Sequence, residues 1–194
     1  MSLVAKIVSF PMHFVKCIYM EILCSRKESE FNKTFPNSHF DISETVAEQL
    51  ETKENAKFTD AKYKLVVQRH SNTCGMTCLA IVAAQDYRTA YKESRPYYSD
   101  RYGIGCDAIR RYLKKHGIKT AQVQRFKLGE MKLLDFITSK PNVAAIFLSK
   151  NKGVRAGHFI VCDGKYIYDP EKGVYLIQEY KTYEFITAAI EVIE

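Results

Sequence analysis

Hydrophobic positions along this chain recur first at helical spacing and later in short runs separated by turn residues. In "CGMTCLAIVAA", residues 74–84, Met76, Leu79, Ala80, Val82 and Ala83 form a helical stripe. Ser71, Asn72 and Thr73 stand just before it, and all three are good N-cap types, so a helix is expected to begin at Cys74. In "GIGCDAIRRYLKKHGIK" the residues Ala108, Ile109, Tyr112 and Leu113 share one face, and Gly117 supplies the stop. "GEMKLLDFITSK" predicts a shorter third helix, ended by Pro141. "KLVVQ" and "TAQVQRF" read as strands among these helices. Then come "VAAIFL", "HFIVC" and "KYIYD", the last two joined by Asp163-Gly164, a strong hairpin signal, followed by "GVYLIQ" and "TAAIEVIE". Helices first and an antiparallel sheet last make an α+β pattern.

The first 62 residues follow neither period. Residues 1–24 are apolar but interrupted by Lys6, Pro11, His13, Lys16 and Glu21. No uninterrupted apolar run is long enough to span a bilayer. The apolar core of a signal peptide would have to pass through Pro11 and His13, with no small-residue cleavage site after it. A helical anchor is the expectation, lying on its own domain, on a membrane surface or on a partner. Residues 25–62 are charged and rich in Ser, Thr and Asn, which reads as a linker with one short helix near Ile42 to Leu50, started by Asp41 or Ser43. The chain therefore divides into an extension, 1–62, and a catalytic-size domain, 63–194.

Composition changes this picture little. The net charge of +7 and the pI near 9.0 suit an acidic partner, but the lysines are scattered and form no block, which favours a plain basic surface over nucleic-acid binding. The six cysteines, Cys17, Cys24, Cys74, Cys78, Cys106 and Cys162, show no Cys-x-x-Cys spacing, and no paired histidines accompany them. Neither a zinc site nor any cofactor is implied, and a chain of 194 residues has no need of disulfide staples. Reduced thiols are expected, in a cytoplasmic protein or a secreted effector.

One arrangement bears chemistry. A cysteine nucleophile needs a base, a group to orient the base, and donors for the oxyanion. Cys74 lies in the first turn of a helix, where unpaired N–H groups and the dipole favour a thiolate. His158 opens one arm of the Asp163-Gly164 hairpin and Asp169 ends the other, so the turn returns them to each other. Gln68 precedes the helix by six residues, close enough to aim its amide above Cys74. These four are the candidate catalytic residues, in a papain-type Cys/His/Asp arrangement with a Gln donor. Cys78, one turn below Cys74, reads as a packing residue, as do Cys106 and Cys162. His70 reads as a surface or substrate-side residue.

The same residues carry a resemblance. Gln68, Thr73 and "CGMTCLA" resemble the active-site motif of the C39 peptidases, papain-like domains that remove double-glycine leaders from bacteriocin precursors. "YGIGCDAIRRYLKKHGIKT", "AAIFL" before "GHFIV", and "IYDP" are similar to further family segments in the same order, over about residues 63–178. The resemblance implies a papain-like fold with helices packed on an antiparallel sheet, and a cysteine peptidase acting on a protein or peptide. Thr73 stands where the family usually has Asp, the hairpin between His158 and Asp169 is short, and the first 62 residues have no counterpart. A glutamine deamidase or transglutaminase, or a papain-fold RNase toxin, would use the same scaffold.

Overall fold

A single twisted sheet organises the residues that the computed structural model describes, which are 42–193 apart from 71, 100–102, 142–143 and 151–156. The anchor expected over residues 1–24 lies outside them. The strands are β1 (Tyr98–Ser99), β2 (Gly103–Ile104), β3 (Lys119–Thr120), β4 (Gln124–Arg125), β5 (Met131–Lys132), β6 (Ala145–Lys150), β7 (His158–Cys162), β8 (Tyr166–Asp169), β9 (Gly173–Leu176) and β10 (Phe185–Ile193). The helices are α1 (Glu44–Lys57), α2 (Cys74–Val82), α3 (Tyr87–Ser94), α4 (Cys106–Lys115) and α5 (Leu133–Ser139). The main sheet runs β3-β10-β6-β7-β8-β9, all antiparallel, with β4 and β5 also paired to β10. β1 and β2 form a separate small hairpin.

Both faces of the sheet are covered. Ile146, Phe159, Val161, Tyr168, Ala188 and Ile190 join the cluster built on α2, α3 and α4. The intervening residues Phe147, Ile160, Cys162, Ile167, Ile186 and Ala189 pack with Leu133, Phe136 and Ile137 of α5 and with Tyr180. The period of two along each strand produces this division, since successive side chains point to opposite faces, and a register shift between Ile186 and Ala188 resets it in β10. α2 lies in the middle of its layer, with every residue from Gly75 to Val82 buried. Gly75 is required by that burial: a Cβ there would come within 2.4 Å of Ile104 Cγ2 and 3.1 Å of Phe159 Cδ2. The start of α2 can therefore press against β7 beside His158.

The α+β architecture agrees with the expected one, and β7 starts and ends at the predicted residues. Two local expectations need correction, and one helix is new. The segment "KLVVQ" is not a strand. Leu65 donates its N–H to Asn55 Oδ1 (2.7 Å) and accepts from Asn55 Nδ2 (3.1 Å), Val67 N–H donates to Glu51 Oε1 (2.7 Å), and Gln68 N–H donates to the Pro170 carbonyl (2.9 Å). Side chains of α1 thus occupy backbone groups that a neighbouring strand would otherwise take. The strand expected over "TAQVQRF" is split between the two-residue pieces β3 and β4. α3 is an addition. Its buried face, Tyr87, Ala90, Tyr91 and Ser94, lacks an aliphatic stripe, although Asp86 caps it by accepting from Thr89 N–H (2.9 Å).

The short helix expected near Ile42 to Leu50 is α1, which runs on to Lys57 and is capped by Ser43. Ile42 and Ala47 enter the same core as α2. No described helix is long and apolar enough to cross a membrane.

Candidate active site

Cys74 is the first residue of α2 and is half-buried, with a free thiol. Thr73, the residue before it, does not cap the helix with its side chain. Its hydroxyl instead donates to the His70 carbonyl (2.7 Å) and accepts from Tyr87 Oη (3.0 Å). No Thr73 oxygen therefore lies over the first N–H groups of α2, and the positive end of the helix is left to the Cys74 sulfur and to whatever binds there.

Facing Cys74 is His158, at the first position of β7. Its ring is stacked on Tyr183, with centroids 5.3 Å apart and planes 20° apart. Nε2 lies 2.8 Å from Asp169 Oδ1. Burial would lower the imidazole pKa, but hydrogen bonds to Asp169 and Cys74 and the charges of both outweigh it and raise it to about 10. At neutral pH the ring is an imidazolium, with Nε2–H donating to Asp169.

Asp169 ends β8 and is fully buried. Such a carboxylate is tolerable only when its lone pairs are used. Besides His158, Oδ1 accepts from Glu171 N–H (3.0 Å), and Oδ2 accepts from Tyr180 Oη (2.8 Å). Tyr180 is 3% exposed. Burial first, and then the neighbouring Asp169, keep its hydroxyl protonated far above the ordinary tyrosine range, so it remains a donor. Tyr180 and Tyr183 belong to this site, yet nothing in "QEYKTYEF" distinguishes them by periodicity.

Gln68 is buried beside the Asp169-Pro170 turn, to which its backbone is bonded. Its Nε2 donates one hydrogen to the His70 carbonyl (2.7 Å). The amide carries a second hydrogen, which remains for another acceptor. The His70 carbonyl thus ties Gln68 to Thr73, immediately before Cys74. The loop is also held from outside. Arg69, 2% exposed, is paired with Glu51 and with Glu44 (3.3 Å), both on α1, and lies over the Tyr87 ring at 4.9 Å.

The structure therefore brings Cys74, His158 and Asp169 together and anchors Gln68 in the loop leading to Cys74. His70 is a correction. It is not on the surface but 2% exposed, packed edge-on against Tyr87 and Tyr91 at centroid distances of 5.7 and 5.6 Å. Burial lowers its pKa to about 4 and keeps it neutral. Cys78, Cys106 and Cys162 are buried, and burial raises the pKa of each thiol. Among the described residues no three His, Cys, Asp or Glu side chains cluster as metal ligands.

No curated protein matches the chain. Among solved structures, it is similar to a double glycine motif protease from an AMS/PCAT transporter, in complex with the leader peptide. That likeness has a TM-score of 0.50 and 19% identity, covering 69% of this chain and 94% of the other. It is also similar to the peptidase domain of Streptococcus ComA, a bifunctional ABC transporter involved in quorum sensing, with a TM-score of 0.46 and 20% identity over 68% of this chain and 99% of the other. The first likeness supports the fold. The sequence model of the peptidase C39 family matches residues 62–187, a span that holds Gln68, Cys74, His158 and Asp169, and the chain accordingly belongs to that family of cysteine peptidases.

Proposed function

We propose that this chain cleaves a peptide bond in a protein or peptide substrate through Cys74, with His158 as base and acid, Asp169 orienting His158, and Gln68 donating to the oxyanion. The observation that carries this reading is the continuous contact Cys74–His158–Asp169, with the imidazole held charged between a sulfur and a buried carboxylate. With its proton transferred to His158, the Cys74 sulfur attacks the scissile carbonyl carbon as a thiolate. The oxygen that takes up the electron pair is met by the second Gln68 N–H and by the Cys74 backbone N–H at the start of α2. His158 passes its proton to the departing amine, which leaves as the C–N bond breaks. His158 then takes a proton from water, which attacks the acyl-sulfur carbon and frees the second product.

The domain of residues 63–194 carries these groups, and α1 holds the loop from which Gln68 acts. The leader-peptide complex of the similar double glycine motif protease favours a peptide as the substrate class here too. A bacterial effector or toxin setting fits the net charge of +7.

Incubation with a peptide library and with an acyloxymethyl ketone probe for cysteine peptidases tests the reading. Probe mass on Cys74 and cut peptides are expected from the native chain, and neither from Cys74→Ala with an unchanged melting temperature. Cutting that survives in Cys74→Ala would remove Cys74 from the reaction. A one-dalton gain on substrate glutamine without a cut would replace hydrolysis of the main chain with deamidation.

A further inference from the structure

Glu171 borders the Asp169 network from the solvent side. Its backbone N–H is fixed on Asp169 Oδ1 (3.0 Å), so the position of the residue is set by the buried network. Its side chain is 48% exposed, with Oε1 3.9 Å from His158 Nδ1. That distance is too long for a hydrogen bond but well inside Coulomb range. Nδ1 is the ring nitrogen that Asp169 does not use, and it is therefore the one available to Cys74. Tyr183 closes the same corner. Burial, and then the negative charges of Asp169, Glu171 and Cys74, push its hydroxyl up to about 12. Tyr183 lies against the His158 ring, with centroids 5.3 Å apart. Among the described residues Glu171 has no ion-pair partner except His158.

The side of the centre follows from the chemistry. On the proposed reading, His158 gives its proton from Nδ1 to the departing amine. Whatever borders Nδ1 from the solvent side borders the departing fragment. We propose that Glu171 forms a cation-selecting subsite there, taking a Lys or Arg side chain that the substrate carries within two residues after the cleaved bond. The subsite rests on the peptidase reading, but its charge selection does not. A half-exposed carboxylate gives a screened attraction, so its effect is a preference and not an absolute requirement. A cation is drawn in and an anion repelled, and the two effects multiply to a selectivity of about three- to tenfold at low ionic strength. In 1 M salt, where the screening length is about 3 Å, it should vanish.

Two measurements test this, the first of them separately from peptide cleavage. In the first, Cys74 is modified with two methanethiosulfonates of similar size, one carrying an aminoethyl and the other a sulfonatoethyl group, and the rates are read from the mass of the Cys74 peptide. The native chain should favour the cationic reagent by about three- to tenfold. Glu171→Gln should lose most of that preference, and the rate ratio cancels any common change in thiol reactivity. An equal ratio in the two proteins overturns the inference. In the second, a peptide library is cut and the residues after each cut are counted. Enrichment of Lys and Arg in the first two positions with the native chain, and its loss in Glu171→Gln, supports the subsite; cuts without charge enrichment overturn it. A library left uncut while the reagent preference holds would remove the peptidase reading and keep cation selection by Glu171.

Discussion

The two sides of the Cys74–His158 contact are held by different means. On the sheet side, His158 and Asp169 stand on neighbouring strands joined by a tight hairpin, in which Val161 pairs with Tyr168 and Cys162 with Ile167. Backbone register brings the two within reach, and the buried Tyr180 hydroxyl and the Glu171 N–H then fix the carboxylate. On the helix side, the described residues of the loop before Cys74 form no strand, and His70 makes only a single bridge. The loop is held by side chains drawn from α1 and α3, chiefly Glu51, Glu44 and Tyr87, and by the Pro170 carbonyl. The base is thus placed by a local, repetitive device, and the nucleophile's loop by contacts between distant parts of the chain. Damage to the first should appear mainly in the chemistry, and damage to the second also in stability.

Asp169→Asn is expected to give the largest effect on the sheet side. Turnover should fall by a factor on the order of 10⁴, as the amide presents a donor where His158 needs an acceptor. The pH profile carries a second signature. His158 is raised to about 10 in the folded chain, from an ordinary value of 6.5. Its pairing therefore contributes stability that is fully present below about pH 6.5 and is lost as pH rises through about 10. Without the Asp169 charge the folded value falls, so the alkaline limit of activity should move to lower pH. An unchanged limit would mean that Asp169 does not control the base.

Gln68→Ala should lower turnover by about 10²–10³, the usual effect of losing one oxyanion donor, with little change in KM. A rise in KM alone would assign Gln68 to substrate binding. Arg69→Met sharpens the comparison from the helix side. It strips Glu44 and Glu51 of their buried partner, and the stability lost should be roughly 3 kcal/mol, the low end for a broken buried pair. Those glutamates keep 18% and 20% exposure, which moderates the loss. The urea midpoint measures it, and a variant as stable as the native chain would show that α1 does not brace the loop. The smallest effect is expected from Tyr180→Phe. One hydrogen bond to a charged oxygen is lost, lowering kcat by about tenfold with KM unchanged. A matching loss of stability with kcat intact would make Tyr180 a packing residue only.

What could be read directly from the residues is what depends on neighbours in the chain. The helix start at Cys74 follows from polar cap types before an apolar stripe. The approach of His158 to Asp169 follows from the hairpin that Asp163-Gly164 signals, although the two turn residues are Gly164 and Lys165, since Asp163 N–H donates to the Tyr166 carbonyl and Cys162 pairs with Ile167. The order of helices and strands, and hence the α+β class, follows from the same periodicities. Tyr180 and Tyr183 were not legible in this way. They lie in an irregular segment after β9, and their value arises only where that segment folds back over Asp169 and His158. His70 shows the same limit from the other side: a polar residue in a loop is ordinarily exposed, but Tyr87 and Tyr91 cover this one from a helix that the pattern did not announce.

"KLVVQ" has the composition of a strand, yet its hydrogen bonds go to Asn55 and Glu51. Propensity describes how a segment suits an extended backbone, not which partner that backbone will find. The positive charge shows the same distinction, for Arg110, Arg111, Lys114 and Lys119 line one cavity of about 590 Å³ between α4 and β3, away from Cys74. The sequence by itself determined the chemical types and the local geometry of Cys74, His158 and Asp169. Only the tertiary structure decided what holds them, because partners such as Tyr180, Glu51 and Pro170 are brought to the site by packing between elements far apart in the chain.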